Sequence, residues 1–171
     1  MSMFMTADKK GAILSKNRVY RYVLWREWDI FKKTCVFIGL NPSTADENED
    51  DPTLRRCINF AKDWGFGKCV IVNLFAYRAT NPDELKKQEK PVGYKNNHYV
   101  KTQCNQADLV VVAWGNVGNY LKRDEIVLKL LKDISLKCFK ITSKGQPVHP
   151  LYQAKNTILV PYKNPVKVNM Q

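Results

Sequence analysis

Apolar residues in this chain fall into short unbroken runs separated by polar loops marked with glycine and proline. Val36-Phe37-Ile38 ahead of Gly39, Lys68–Leu74, Asp108–Trp114 and Lys137–Thr142 carry such runs. Each is bounded by turn residues, which predicts a strand buried on both faces. Between the runs, apolar positions recur at helical spacing. The clearest helix opens at Asp51-Pro52-Thr53, with Asp as N-cap and Pro at the first helical position. It continues through Leu54, Cys57, Ile58 and Ala61 to about Trp64 and stops at Gly65. Further helices are predicted after Asn81-Pro82-Asp83, from about Asn96 to Ala107, and from about Asn119 to Asp133. The alternation implies parallel strands joined by right-handed crossovers. The expected fold class is α/β, a three-layer α/β/α sandwich around a central, mostly parallel four-stranded sheet.

Outside this pattern, Arg18–Trp28 interleaves aromatic and β-branched residues with arginines, which favours an extended strand. Its aromatics are expected to cover the sheet and its arginines to form a solvated face, with phosphate contact and base stacking as the alternative. Residues 1–17 suggest a flexible arm or an edge segment, Thr157–Val160 a last apolar stretch, and 161–171 a basic tail. With no repeat and no internal boundary, the 171 residues are expected to form one domain.

The strands end distinctively, at Gly39-Leu40-Asn41-Pro42-Ser43, Asn73, Trp114-Gly115 and His149-Pro150. Parallel strands would bring these ends to one edge, where open α/β sheets bind ligands. Gly39 permits close backbone approach or a positive φ, and Pro42 fixes the turn that holds Asn41 at its apex. There is no Walker loop, no Gly-x-Gly-x-x-Gly fingerprint and no serine in a nucleophile elbow, which excludes the standard nucleotide-binding and α/β-hydrolase signatures.

Charge narrows the partner. Lys and Arg total 28 against 16 acidic residues, a net charge of +12, which points to a polyanion, most often nucleic acid. The five cysteines are odd in number, widely spaced and partly inside strand patterns, so free buried thiols are expected rather than a metal site. No cofactor is expected. No apolar run approaches the roughly 20 residues of a membrane span, and Met1–Asp8 has no signal-peptide core. A cytoplasmic monomer that does not engage membrane is the expectation. The acidic run Asp46, Glu47, Glu49, Asp50 and Asp51 reads as a solvated loop ahead of a helix, with a Mg²⁺ site as the alternative.

The ordered set Gly39-x-Asn41-Pro42, apolar strand plus Asn73, apolar strand plus Trp114-Gly115, then His149-Pro150 resembles the uracil-DNA glycosylase superfamily. The wider pattern Asp51-Pro52-Thr53-x-Arg55-Arg56 and Asn73-Leu74-Phe75-Ala76-x-Arg78-Ala79-Thr80 resembles domain-of-unknown-function family 1643, over roughly residues 18–160. The glycosylase resemblance implies hydrolysis of the N-glycosidic bond of a damaged or modified pyrimidine in DNA, after the base is flipped from the stack. It implies Asn41 and His149 as catalytic residues, Asn41 placing water and His149 stabilising the departing base. Asn73 would read the base edge, with Gly39, Pro42 and Ser43 around it, and Leu151 would fill the vacated stack. Arg55, Arg56 and Arg78 would hold phosphates. Two departures stand out. Leu151-Tyr152 follows His149-Pro150 where the family carries Ser, and Asn41 and Ser43 occupy the positions of a catalytic Asp and a Tyr. Asn cannot act as a carboxylate, and a small Ser43 leaves room beside the pyrimidine 5-position. The alternatives are a non-catalytic nucleic-acid or modified-base binding module of the same fold, and a metal-dependent hydrolase using residues 46–51.

Overall fold

The structure is a computed structural model that describes residues 8–164. Its strands are β1 (Lys9–Leu14), β2 (Arg21–Glu27), β3 (Thr34–Gly39), β4 (Lys68–Asn73), β5 (Leu109–Val112), β6 (Leu136–Cys138) and β7 (Val160–Tyr162). They form one sheet in the order β1-β2-β4-β3-β5-β6-β7. β4, β3, β5 and β6 are parallel, while β1, β2 and β7 add antiparallel flanks. The sheet is therefore mixed and seven-stranded, wider than the four strands expected. The difference lies in pairing partners. Arg18–Trp28 supplies β2, which joins β4 through Leu24↔Ile71, and Lys9–Leu14 folds back onto β2 as the edge strand. The arm expectation for residues 1–7 and the tail expectation for residues 165–171 lie outside the described residues.

Alternation along the strands makes two cores. Cys35, Phe37, Cys69, Ile71 and Val111 face α1 (Pro52–Asp63), which contributes Leu54, Cys57, Phe60 and Ala61. Val36, Ile38, Val70, Val72, Val110 and Val112 face the other way. There they meet Leu85 of α2 (Pro82–Lys86), Val100 and Cys104 of α3 (Asn96–Gln106), and Val127 and Leu128 of α4 (Arg123–Leu130). α1 begins as its sequence dictates, with Asp51 Oδ1 accepting the Leu54 amide at 2.8 Å. The helix expected from Asn119 to Asp133 is broken. A 3-10 turn spans Asn116–Lys122, Leu121 and Lys122 take positive φ, and α4 starts only at Arg123. The break turns Arg123 inward, where its Nε donates to the Leu74 carbonyl at 2.9 Å. All five cysteines are buried and free. No described helix is long and apolar enough to cross a membrane.

β3 leads into α1 on one face, whereas β4 and β5 lead to helices on the other. Loops that leave in opposite directions open a crevice at the carboxyl ends of these strands.

Candidate active-site cleft

A cleft of about 500 Å³ occupies that crevice and is closed on one side by the 149–152 segment. Gly39, Asn41, Ser43, Asn73, His149 and Leu151 all line it. Strand ends from three parallel strands and a distant loop thus meet, as their order in the sequence suggested.

Asn73 lies at the cleft floor, 3% exposed. Its backbone is held firmly. Asn96 Nδ2 donates to the Asn73 and Leu74 carbonyls at 2.9 and 3.0 Å, and Arg123 adds its bond to Leu74. The Asn73 Nδ2 itself is buried without a partner among the described residues. A buried amide left unpaired costs on the order of 1–3 kcal/mol, so a group that accepts from Asn73 Nδ2 is favoured at this position. Gly39 makes room for it: a Cβ at Gly39 would stand 2.8 Å from Asn73 Oδ1. Gly39 does not take a positive φ, so space for the amide is what the glycine supplies.

Asn41 is half-buried and tied down by its amide nitrogen, which donates to the Ala79 carbonyl at 2.8 Å and the Pro42 carbonyl at 3.1 Å. Two carbonyl partners fix which end of the amide is nitrogen. The Oδ1 is left with no hydrogen bond among the described residues and is available to accept one from water. Pro42 is buried behind the loop and does not line the cleft; its carbonyl also accepts from Ala79.

His149 precedes a 3-10 turn, Pro150–Tyr152. Its Nδ1 accepts the Leu151 amide at 3.2 Å, so the neutral ring carries its proton on Nε2. Burial pushes its pKa below the ordinary histidine value, against the opposing pull of Asp51. The ring is therefore a neutral donor at physiological pH. Leu151, 40% exposed, and Tyr152, 84% exposed, stand out at the cleft mouth.

The three arginines assigned to phosphate are placed differently from one another, and none lines the cleft. Arg55 is exposed and reaches the Asp50 carbonyl. Arg56 donates to the Gln153 carbonyl and lies over the Phe60 ring, bracing the segment that carries His149. Arg78 spends its guanidinium on the carbonyls of Arg18, Ser43 and Thr44. Four of the five acidic side chains in the run are likewise committed. Asp46 and Glu47 pair with Arg18, Asp50 pairs with Arg26 at 2.9 Å, and Asp51 caps α1. Among the described residues no three His, Cys, Asp or Glu side chains gather as a metal-holding group.

Three cleft residues were not marked by sequence reasoning. Trp114 is buried, with Nε1 donating to Gln146 Oε1 at 2.8 Å, and its strand end was noted without a role. The sequence offers Asp51 as a helix cap and as part of the acidic run, and the structure adds that Asp51 lines the cleft. Arg21 lines it too and is 3% exposed, contrary to the solvated face expected of the Arg18–Trp28 arginines. Arg26, 7% exposed, departs from that expectation in the same way. Both are covered by the 45–50 loop, whose carbonyls they bind. A partner some 20 residues away leaves no local mark on strand periodicity.

A larger groove of about 980 Å³ lies elsewhere, lined by Tyr20, Tyr22, Tyr94, Lys16 and Lys90 among others, and contains none of the strand-end residues. The family model described as "Protein of unknown function (DUF1643)" matches residues 21–151. No curated protein and no solved structure matches the chain.

Proposed function

This chain belongs to DUF1643, a family of unknown function, and we propose that it is a DNA base-processing protein of the glycosylase kind, hydrolysing the N-glycosidic bond of a damaged or modified pyrimidine. The observation that carries this reading is the unpartnered amide of Asn73 at the floor of a cleft that also holds a neutral His149. An amide offers one donor and one acceptor side by side, the complement of a pyrimidine edge. The finer fold likeness, an α/β sandwich of the uracil-DNA glycosylase type, is part of the same proposal.

In this scheme the C1′–N1 bond breaks and its electron pair leaves with the base. His149 Nε2–H donates to the base oxygen on which negative charge develops. Water accepted by Asn41 Oδ1 adds to C1′, and its proton reaches the departing base through solvent. Asp51 sets a negative charge in the wall of the cleft, favourable to the positive sugar. Leu151, beside the exposed Tyr152, enters the space the base vacates. Ser43 leaves the pyrimidine 5-position uncrowded.

The test is incubation of the metal-free protein with duplexes bearing uracil, mismatched thymine or 5-hydroxymethyluracil, scoring abasic sites by alkaline cleavage. Abasic product that is lost in Asn41→Ala and His149→Ala supports the reading. A second reading, a base-binding module without catalysis, draws on Asn41 standing where a carboxylate would be needed and on both Asp51 oxygens being engaged by the Leu54 and Ala45 amides. It predicts saturable binding of the same duplexes with no abasic product.

A further inference from the structure

Arg21 is the most deeply buried arginine side chain in the cleft wall, and its bonding is incomplete. Nη1 donates to the Ala45 carbonyl at 2.9 Å. Nε is buried without a partner, and Nη2 makes no hydrogen bond among the described residues. Among the described residues no ion pair engages it. Asp51 exerts the strongest opposing pull on it, and its two oxygens already accept the Ala45 and Leu54 amides; Asp46 pulls more weakly, and Arg78 and Arg26 repel. Burial lowers the Arg21 pKa only to about 10, so the guanidinium is charged at neutral pH.

The backbone goes out of its way to put it there. Along β2 the register against β1 slips between Ile13↔Val23 and Leu14↔Arg21, leaving Tyr22 as a bulged residue. Tyr22 and Val23 consequently share the α3-side core, and Arg21 falls on the same face as Leu24, inside the cleft. Without the bulge, alternation would turn Arg21 to the opposite face. Bulges recur beside functional sites for this reason.

A charged guanidinium with a vacant Nε–Nη2 edge is a fork shaped for two oxygens of one anion. Buried and unpaired, it is costly unless something completes it. We infer that the cleft takes its pyrimidine as a phosphate-bearing nucleotide, the phosphate seated on the Nε–Nη2 edge of Arg21 and the base on Asn73. Hydroxyls of Ser43, Thr53 and Thr80 line the same cleft and add donors for the remaining oxygens. The inference rests on the base-binding reading above and adds the substrate class to it. The phosphate is either a phosphomonoester of a free nucleotide or a phosphodiester of a strand, since both offer the same pair of oxygens.

The test is calorimetric titration of the whole protein with thymidine, thymidine 5′-monophosphate and a thymidine trinucleotide. Phosphate-bearing ligands are expected to bind at least about tenfold tighter than thymidine, the gain of a charge-assisted fork. Inorganic phosphate is expected to displace the monophosphate and not thymidine, a readout on the wild-type protein that needs no variant. In Arg21→Gln the ratio of monophosphate to thymidine affinity is expected to fall to about one, and in Arg21→Lys, which keeps charge without the fork, to fall partway. In Asn73→Ala both affinities are expected to drop together with their ratio kept. A tighter monophosphate or a tighter trinucleotide identifies the source of the phosphate. Thymidine binding to which phosphate adds nothing would overturn this inference and leave base binding standing. Binding of none of the three would overturn both.

Discussion

Gly39 and Asn73 are a matched pair: the missing Cβ of one is the space taken by the amide of the other. Gly39→Ala is therefore expected to displace the amide by rotating a side chain rather than by moving backbone. Its stability cost should be about 1 kcal/mol, the low end for added bulk in a packed site, while ligand binding in the cleft is lost. Denaturant unfolding and calorimetry on one preparation measure both. His149 gives a pH signature. Its folded pKa is below the ordinary 6.5 because of burial. The unfolded chain therefore takes up this proton first. The contribution is complete above about pH 6.5 and is lost as pH falls through the folded value. Asp46 and Glu47 are held below their ordinary values, Asp46 chiefly by the Asn48 amide and Glu47 chiefly by Arg18. Their contributions are present above about pH 4.5 and fade only below it. Thermal unfolding against pH is expected to show two descending limbs, and His149→Gln should remove the upper one alone. An unchanged upper limb would mean that the ring is not buried neutral.

The cleft depends on how its elements are braced. The 43–51 loop is stapled by Arg18, Arg21, Arg26 and Arg78, and it delivers Asp51 to the start of α1. Asp51→Ala removes the cap and the partner of the Ala45 amide, with an expected cost of about 1–2 kcal/mol. Asp51→Asn keeps an accepting oxygen and is expected to recover most of that. Trp114 is fixed in a similar way by Gln146 and by the close approach of Gly118, where a Cβ would meet the indole at 2.0 Å. Gly118→Ala is expected to destabilise by about 1–3 kcal/mol and to loosen the cleft wall, measured as a lower unfolding midpoint and weaker ligand affinity. These elements also show what can be read from a sequence. α1 was legible because its cap, proline and stop are local signals, all within the helix and its flanks. The strand ends were legible because glycine, proline and asparagine interrupt apolar runs. The break before Arg123 was not, because Tyr120-Leu121-Lys122 holds no residue that forbids a helix, and the turn accompanies the burial of Arg123 on the carbonyl of Leu74, far away in sequence. Arg21 escaped for the same reason: a bulge is a property of pairing with β1, and nothing in Arg21-Tyr22-Val23 announces it.

For the molecule as a whole, the proposed nucleic-acid function assigns separate work to the net charge of +12 and to the cleft. In that proposal charge supplies attraction without selectivity, and the cleft selects. Affinity for a duplex is expected to fall at least about tenfold between 50 and 200 mM salt, as follows from neutralising two or more phosphates. Asn73→Ala should lower affinity for a modified site while leaving that salt slope unchanged. The mixed seven-stranded sheet explains why the antiparallel flanks were harder to anticipate than the parallel centre. β7 is three residues long and largely exposed, and β1 opens on Lys9-Lys10-Gly11 with only Ala12-Ile13-Leu14 behind it, so neither carries as buried an apolar run as those that mark β3, β4 and β5.

The most direct measurement is the side-chain amide resonance of Asn73 during titration of the labelled protein with uracil and thymine. An unpartnered amide that receives a base edge should shift saturably in both its protons and its nitrogen, the midpoint matching calorimetry and the response vanishing in Gly39→Ala. Shifts confined to the Tyr20–Tyr94 groove, or an Asn73 amide that stays unmoved while the protein binds its ligand, would contradict a base-reading cleft.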